Sequence, residues 1–223
     1  MMINIKIASP PCGRVYQKPV LWSLSLLLLL AGTIAAAAND KVLIVGDSLS
    51  AAYGIPVEQG WVAQLSERID GTRYMVEVVN ASVSGDTTAN GLTKLPALLS
   101  EYQPAVVIIE LGGNDGLRGL SIKKMKQNLT EMTEMATAAG AQVLLTGMRI
   151  PSNYGAAYTK LFTKTYTDVA SQTDAQLVPF LLQGLESGLE WFQSDGVHPN
   201  ANAQPIMLDN VWEVLEPVLE AKY

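Results

Sequence analysis

The sequence predicts an α/β fold in which a parallel β-sheet is covered by helices on both faces. Short apolar runs rich in β-branched residues alternate with longer segments of helical spacing, and this alternation is typical of parallel sheets. With 223 residues, of which 48% are hydrophobic, the chain is long enough to enclose the core of one domain. No internal repeat, linker or low-complexity stretch follows residue 40, so we predict a single domain.

Five apolar runs are predicted as strands. The first ends at Gly46 and has the nearly continuous apolar character of a strand that is buried on both faces. The third is almost wholly apolar and has the same interpretation. The predicted strands lie at residues 41–45, 74–79, 105–111, 142–147 and 175–180.

Five further segments carry apolar residues at helical spacing. The clearest of them runs from Ile122 to Ala136, and Gly140 is expected to end it. Pro96 strains the second predicted helix, and Pro217 is expected to bend or end the last one. The predicted helices lie at residues 61–69, 92–99, 122–136, 156–172 and 207–219.

The first 38 residues differ in composition from the rest of the chain. Three basic residues and no acidic residue accompany an apolar run at residues 20–31, and small residues follow at residues 35–38. This order is typical of a secretory signal peptide. An uncleaved anchor is the alternative, because residues 20–38 approach the length that spans a membrane.

We predict that the signal peptide, residues 1–38, is cleaved near Ala38, because a run of alanines suits a signal peptidase. The domain that remains, residues 39–223, is then periplasmic or secreted and keeps no stable membrane span. Cys12 is the only cysteine, and it precedes the apolar run, whereas a lipid-carrying cysteine would follow it. A mature chain without cysteine is compatible with a bacterial periplasm and excludes a metal site built on cysteine.

The predicted mature chain is acidic. It keeps 12 of the 15 basic residues and all 21 acidic residues, which gives a formal charge of −9. An acidic surface argues against binding of nucleic acid or of an anionic membrane through a basic patch. We therefore expect a small-molecule partner, no nucleic acid, and a monomeric protein.

Polar clusters follow the first three predicted strands, and a fourth cluster lies near the end of the chain. Parallel sheets bind ligands beyond the carboxyl ends of their strands, so these positions are the candidates for chemistry. The clusters are Gly46-Asp47-Ser48-Leu49-Ser50, Asn80-Ala81-Ser82-Val83-Ser84-Gly85-Asp86-Thr87, Gly112-Gly113-Asn114-Asp115 and Asp195-Gly196-Val197-His198-Pro199.

His198, the only histidine, is the candidate general base. A lone histidine is usually structural, but this one lies in a polar turn three residues after Asp195, and Pro199 restricts its backbone. A serine nucleophile needs a base, and the base needs a carboxylate that fixes its tautomer. We therefore predict Ser48 as nucleophile, His198 as base and Asp195 as the orienting carboxylate. One histidine and no mature cysteine argue against a zinc site.

Ser48 also has a structural interpretation, as the N-cap of a helix that follows the first strand. The two roles are compatible, because backbone N–H groups gather at a helix start and favour an oxyanion. No serine lies in a Gly-x-Ser-x-Gly sequence, so the α/β-hydrolase elbow is absent.

Gly85 and Asn114 are predicted, together with the Ser48 N–H, to form an oxyanion hole. A glycine lets its backbone N–H approach a substrate closely, and an asparagine side chain offers an N–H donor. The alternative is that both are ordinary turn residues.

In this order the four clusters resemble the four sequence blocks of the SGNH (GDSL) hydrolase family, over roughly residues 41–220. Longer stretches, such as residues 80–86, 110–118 and 149–155, are similar to the periplasmic multifunctional thioesterase I, lysophospholipase and arylesterase group; residues 53–60 match less clearly. The resemblance implies a flavodoxin-like three-layer α/β/α fold with a five-stranded parallel sheet. It also implies no metal, no cofactor and broad activity on acyl thioesters, aryl esters and lysophospholipids.

The resemblance carries the triad roles to Ser48, Asp195 and His198, and the oxyanion roles to Ser48, Gly85 and Asn114. The leading hypothesis is therefore a serine-dependent acyl-ester hydrolase that works through an acyl-enzyme. One alternative is a carbohydrate O-acetyl esterase of the same superfamily. Another is a non-catalytic flavodoxin-like binding module, although no Gly-rich phosphate loop supports it.

Residues 149–155 follow the fourth predicted strand and should border the same edge of the sheet. We predict that Ile150 and Tyr154 shape the acyl or leaving-group site. The alternative is a surface turn built on Pro151 and Asn153.

Overall fold

A computed structural model describes residues 40–185 and 188–223, and the predicted signal peptide lies outside these ranges. Five parallel strands form one sheet in the order β2-β1-β3-β4-β5. The predicted α/β fold with a five-stranded parallel sheet is therefore confirmed. The strands are β1 (Asp40–Gly46), β2 (Val76–Asn80), β3 (Val106–Glu110), β4 (Gln142–Thr146) and β5 (Gln176–Val178).

The neighbouring strands β1 and β3 are aligned so that their carboxyl ends lie side by side. Strand β3 lies between β1 and β4, and all five of its residues are buried. In the pairing of β1 with β3, Gly46 lies opposite Glu110. The loop that contains Asp47 and Ser48 therefore starts beside the end of β3.

Six α-helices of the described ranges pack in two groups against this sheet. Helix α1 packs on α6, whereas α2 packs on α4 and α4 packs on α5. This arrangement gives three layers with the sheet in the middle. The helices are α1 (Trp61–Asp70), α2 (Thr88–Tyr102), α3 (Gly113–Leu117), α4 (Ile122–Ala138), α5 (Ala156–Thr173) and α6 (Gln204–Lys222).

Helices α2 and α6 are longer than the sequence predicts. Helix α2 begins at Thr88 because Thr87 and Asn90 cap it reciprocally, each side chain accepting a hydrogen bond from the other's backbone N–H. Pro96 lies within α2, and Pro217 lies within α6, which continues to Lys222. Packing against neighbouring elements outweighs the missing hydrogen bond at each proline.

Two local features of the site loops differ from what the sequence indicated: Ser48 is not a helix N-cap, and one short helix was not predicted. No α-helix begins at Ser48, because residues 48–54 form a series of turns after β1. The short helix α3, which contains Asn114, was not predicted, since five residues are too few for a helical apolar period. Within the described ranges, no helix is long and apolar enough to cross a membrane.

Candidate active site

Ser48, His198 and Asp195 form one row of hydrogen bonds. The Nε2 atom of His198 lies 3.0 Å from Ser48 Oγ, and its Nδ1 atom lies 2.7 Å from Asp195 Oδ2. An ionised carboxylate only accepts hydrogen bonds, so Nδ1 carries the proton and Nε2 is free to accept from the serine hydroxyl. The row therefore has the connectivity of a serine nucleophile with its base and orienting carboxylate.

The backbone around His198 is held by hydrogen bonds with residues 192–193, which precede it in the chain. Phe192 and Pro199 form an isolated antiparallel bridge, and the Gln193 N–H donates to the His198 carbonyl at 2.8 Å. The Gln193 side chain donates to the carbonyls of Tyr53 at 2.7 Å and of Pro199 at 3.1 Å. The Tyr53 ring lies 4.6 Å from the His198 ring, centroid to centroid. Tyr53 thus covers the imidazole, a contact that sequence analysis did not predict.

Asp195 remains ionised across the physiological pH range. Its Oδ1 atom accepts from the backbone N–H groups of His198 at 3.0 Å and Val197 at 2.9 Å. These hydrogen bonds, with the one from the His198 ring, lower the pKa of Asp195 to about 2. The carboxylate that orients His198 is consequently a permanent anion.

The backbone N–H groups of Ser48 and Gly85 donate no hydrogen bond within residues 40–185 and 188–223. Gly85 has φ = 85°, a conformation that glycine adopts without strain. Both groups can therefore donate to a ligand.

The Asn114 amide is engaged from several sides. Its Nδ2 donates to Asp47 Oδ2 at 2.9 Å and to the Asp86 carbonyl at 3.0 Å. Arg118 donates to Asn114 Oδ1 at 3.4 Å and to the Gly85 carbonyl at 2.9 Å. Arg118 thus links Gly85 and Asn114, two of the three predicted oxyanion donors. Both N–H groups of the Asn114 amide already have acceptors, so Asn114 must give up one of them to bind an oxyanion.

Two buried carboxyl groups lie directly behind this row. Asp47 is 3% exposed and Glu110 is fully buried. Burial, together with the nearby charge of Asp47, raises the pKa of Glu110 well above its usual range. Burial likewise raises the pKa of Asp47 to about 6. A Cβ atom at Gly46 would lie 2.8 Å from Glu110 Oε2, so this glycine provides the room for the buried carboxyl.

A cavity of about 440 Å³ opens beside Ser48 and His198. Ile150 is buried and lines it, whereas Tyr154 is 38% exposed and is not among the lining residues. Tyr154 instead donates to the carbonyl of Leu117, which does line the cavity. The apolar part of the wall consists of Leu49, Leu117, Met148, Ile150, Pro151, Leu182, Phe192 and Val197.

No group of three or more histidine, cysteine, aspartate or glutamate side chains could hold a metal ion among the residues described here. Residues 53–60, where the family resemblance is weakest, do not line the described cavity of about 440 Å³. Tyr53 contacts the site directly: its ring lies against the His198 ring, and its N–H donates to the Ser48 carbonyl at 3.1 Å.

Sequence analysis missed Asp47, Glu110, Tyr53 and Arg118 as parts of this network. Glu110 carries a signal that sequence analysis could have used, because a charged residue at the end of an otherwise apolar strand is unusual. Asp47 also carries a signal, because it lies in the polar cluster that follows the first strand, whereas nothing comparable marks Tyr53 or Arg118.

The fold and the hydrogen-bond connectivity of the Ser48-His198-Asp195 row match those of serine acylhydrolases. Residues 44–204 match the GDSL-like lipase/acylhydrolase family, and the chain belongs to this family, which confirms the predicted resemblance.

Among known proteins, the chain is 50% identical over 198 residues to the esterase TesA of Pseudomonas aeruginosa, covering 86% of this chain and 98% of the relative. It is 42% identical over 198 residues to the thioesterase 1/protease 1/lysophospholipase L1 of Escherichia coli, covering 89% and 94%. The crystal structure of the psychrotrophic esterase EstA from a Pseudoalteromonas species, inhibited by monoethylphosphonate, matches with a TM-score of 0.78 and 41% identity, covering 82% of this chain and 100% of EstA.

Proposed function

We propose that the chain is a serine-dependent hydrolase that cleaves esters and thioesters of apolar acyl groups through an acyl-enzyme. The row from Ser48 through His198 to Asp195, at the mouth of an apolar cavity, is the observation that carries this proposal. The relatives named as an esterase and as a thioesterase/lysophospholipase support the same reaction class.

In the proposed mechanism, His198 takes the proton of Ser48 as Oγ attacks the acyl carbonyl carbon. The ionised Asp195 stabilises the imidazolium that forms. The N–H groups of Ser48 and Gly85 and the Asn114 side chain hold the oxyanion. His198 then gives its proton to the departing alcohol or thiol, and water, activated by the same base, releases the acid.

The cavity wall favours an apolar acyl chain over an acetylated sugar. Eight of its lining side chains are apolar, and a carbohydrate would place hydroxyl groups against them without hydrogen-bond partners. Initial rates on p-nitrophenyl esters from acetate to laurate test this. Rates should rise with chain length beyond acetate, and a preference for acetate or for acetylated sugars would favour the O-acetyl esterase alternative.

Replacement of the nucleophile tests the mechanism. Ser48→Ala should lower kcat/KM at least about 10⁴-fold, because a base without its nucleophile does not form the acyl-enzyme. It should also abolish labelling by a fluorophosphonate probe. Ser100→Ala, at an exposed position of α2, is the matched control and should keep both signals. Normal turnover by correctly folded Ser48→Ala would overturn the proposal.

We further propose that the enzyme is exported, loses residues 1–38 and acts as a monomer. The composition of residues 1–38 supports export, and the acidic surface supports a soluble small-molecule hydrolase. N-terminal sequencing of the exported protein and its mass in solution test cleavage and oligomeric state. An intact N-terminus retained in the membrane would favour the uncleaved anchor.

A further inference from the structure

Glu110, the last residue of β3, is a buried ionisable group that the mechanism above does not use. Its Oε2 atom accepts from the Asp47 N–H at 3.1 Å and from Ser50 Oγ at 2.8 Å. Its Oε1 atom is buried and has no hydrogen-bond partner among the described residues. A buried polar atom without a partner is costly, so this arrangement requires an explanation.

The groups around Glu110 are neutral or acidic. Asp47 faces it from the loop after β1, and Tyr166 comes from helix α5, where burial and the nearby carboxyl groups keep the pKa of its hydroxyl high. Asp115 of α3 lies near Tyr166, and His198 lies near Asp47. None of the ion pairs between described residues involves Asp47 or Glu110.

Two carboxyl groups that meet in a buried site without a cation cannot both be ionised. Glu110 is the more deeply buried of the two, so it keeps the proton. Its Oε2 atom already accepts two hydrogen bonds, which leaves Oε1 to carry the hydrogen. Asp47 is then the carboxylate of the pair, and the pair as a whole has one negative charge.

We propose that Glu110 is a positioning residue for the oxyanion site: it stays protonated and neutral, so that Asp47 is the ionised member of the pair and fixes the Asn114 amide. This inference rests on the proposed oxyanion role of Asn114. Asp47 accepts from Asn114 Nδ2 at 2.9 Å and from the Leu49 N–H at 3.1 Å, so both its oxygens are in use. Glu110 therefore acts on the reaction through Asp47 and Asn114.

The single proton matters for the charge that develops during catalysis. If Glu110 were ionised, two negative charges would lie behind the donors of the forming oxyanion and would oppose it. If Asp47 were also protonated, one of its oxygens would no longer accept from Asn114 or Leu49. Only the one-proton state keeps Asn114 in place without adding a second charge.

Kinetics of four variants of the protein test this role: Glu110→Gln, Glu110→Leu, Asn114→Ala and the double variant Glu110→Leu/Asn114→Ala. Glu110→Gln imitates the neutral acid and should lower kcat less than about fivefold, whereas Glu110→Leu should lower kcat about 30-fold or more with little change in KM, because it removes transition-state stabilisation. When Asn114 is already replaced by alanine, adding Glu110→Leu should lower kcat less than about threefold relative to Asn114→Ala alone. The reason is that Asn114, the residue through which Glu110 acts, is no longer present.

A direct readout is the infrared spectrum at pH 8. Wild type should show the carbonyl band of a protonated carboxylic acid, and Glu110→Gln should lack it. Ile109→Val, one residue earlier in β3, controls for altered packing and should retain both the band and the kcat. This spectrum tests the inference even if Glu110→Leu does not fold.

Three results would overturn the inference. The first is a wild-type infrared spectrum without the band of a protonated carboxylic acid, and the second is a kcat of Glu110→Gln as low as that of Glu110→Leu. The third is that the effects of Glu110→Leu and Asn114→Ala on log kcat add in the double variant. Full activity of Asn114→Ala would instead refute the oxyanion role on which the inference rests. A Ser48→Ala enzyme with normal turnover would refute the proposed function as a whole, so the failures are distinguishable.

Discussion

Asp195 and Asp47 both act on the neighbourhood of Ser48, one through His198 and the other through Asn114, but their surroundings are opposite. The Asp195 side chain is 42% exposed, whereas Asp47 is 3% exposed. Each accepts hydrogen bonds from nearby N–H groups. Yet the pKa of Asp195 is lowered to about 2 by hydrogen bonds with His198 and Val197, and that of Asp47 is raised to about 6 by burial.

This difference shows that hydrogen bonds alone do not set the charge of an active-site carboxylate. At the surface, water already solvates the anion, so extra N–H donors stabilise it further. In the interior, the loss of water outweighs similar donors, so the pKa of Asp47 is raised although the group remains the ionised member of its pair. The same residue type therefore has a lowered pKa in one position and a raised pKa, beside a neutral carboxylic acid, in the other.

Removing the charge of Asp195 should have the largest effect. Asp195→Asn keeps the shape but no longer favours the tautomer in which His198 Nε2 accepts, so kcat should fall about 10³- to 10⁴-fold. Steady-state kinetics on a p-nitrophenyl ester measure this. Asp209→Asn, which alters a 67% exposed carboxylate on α6, is the matched control and should be fully active. A loss below tenfold for Asp195→Asn would contradict the assigned role.

Removing the charge of Asp47 should change how stability depends on pH. Its folded pKa of about 6 exceeds the unfolded value of 3.8, so the folded protein binds the extra proton between these values. The contribution of Asp47 to stability is thus fully present below about pH 4 and is lost as the pH rises to about 6. Asp195, with its lowered pKa, contributes in the opposite sense and loses stability only as the pH falls towards 2.

Urea unfolding of wild type and Asp47→Asn at pH 4, 5, 6 and 7 measures the effect. Between pH 4 and 6, wild type should lose on the order of 2–3 kcal/mol more unfolding free energy than the variant, from about two units of pKa shift. Parallel curves for the two proteins would show that Asp47 titrates normally, and the contrast with Asp195 would then fail.

The smallest effect on kcat is expected from the loss of Arg118, which contacts Asn114 from the solvent side. Arg118→Met removes the hydrogen bonds to the Gly85 carbonyl and to Asn114 Oδ1 but leaves the buried contact with Asp47. We expect kcat to fall about fivefold, which corresponds to the net free energy of about one solvent-accessible hydrogen bond. Lys123→Met, at an exposed position of α4, should not change kcat. A loss above 100-fold for Arg118→Met would mean that the exposed side dominates the positioning of Asn114.

Much of the site could be predicted because its signals are local in sequence. The alternation of strands and helices predicts the parallel sheet, and with it the edge at which Ser48 and Asn114 lie. The Asp195-to-His198 spacing places the carboxylate within reach of its imidazole in one turn. The prolines led to helices that were predicted too short. The hydrogen bond lost at Pro96 or Pro217 can be recognised in the sequence, whereas the packing that compensates for it involves residues that are distant in the chain.

Periodicity in the sequence was enough to predict the fold class, and the three-residue spacing of Asp195 and His198 was enough to pair them. The family and the role of Ser48, which lies 150 positions from His198, were predicted from the resemblance of four ordered clusters to known hydrolases. Only the tertiary structure decided which carboxyl groups are buried, how Asn114 is held, and which of Ile150 and Tyr154 lines the cavity. Burial is a property of the whole packing: Asp47 and Glu110 are 63 positions apart, and only the alignment of β1 with β3 brings them together. The same alignment places both carboxyl groups out of the reach of water, which decides their protonation.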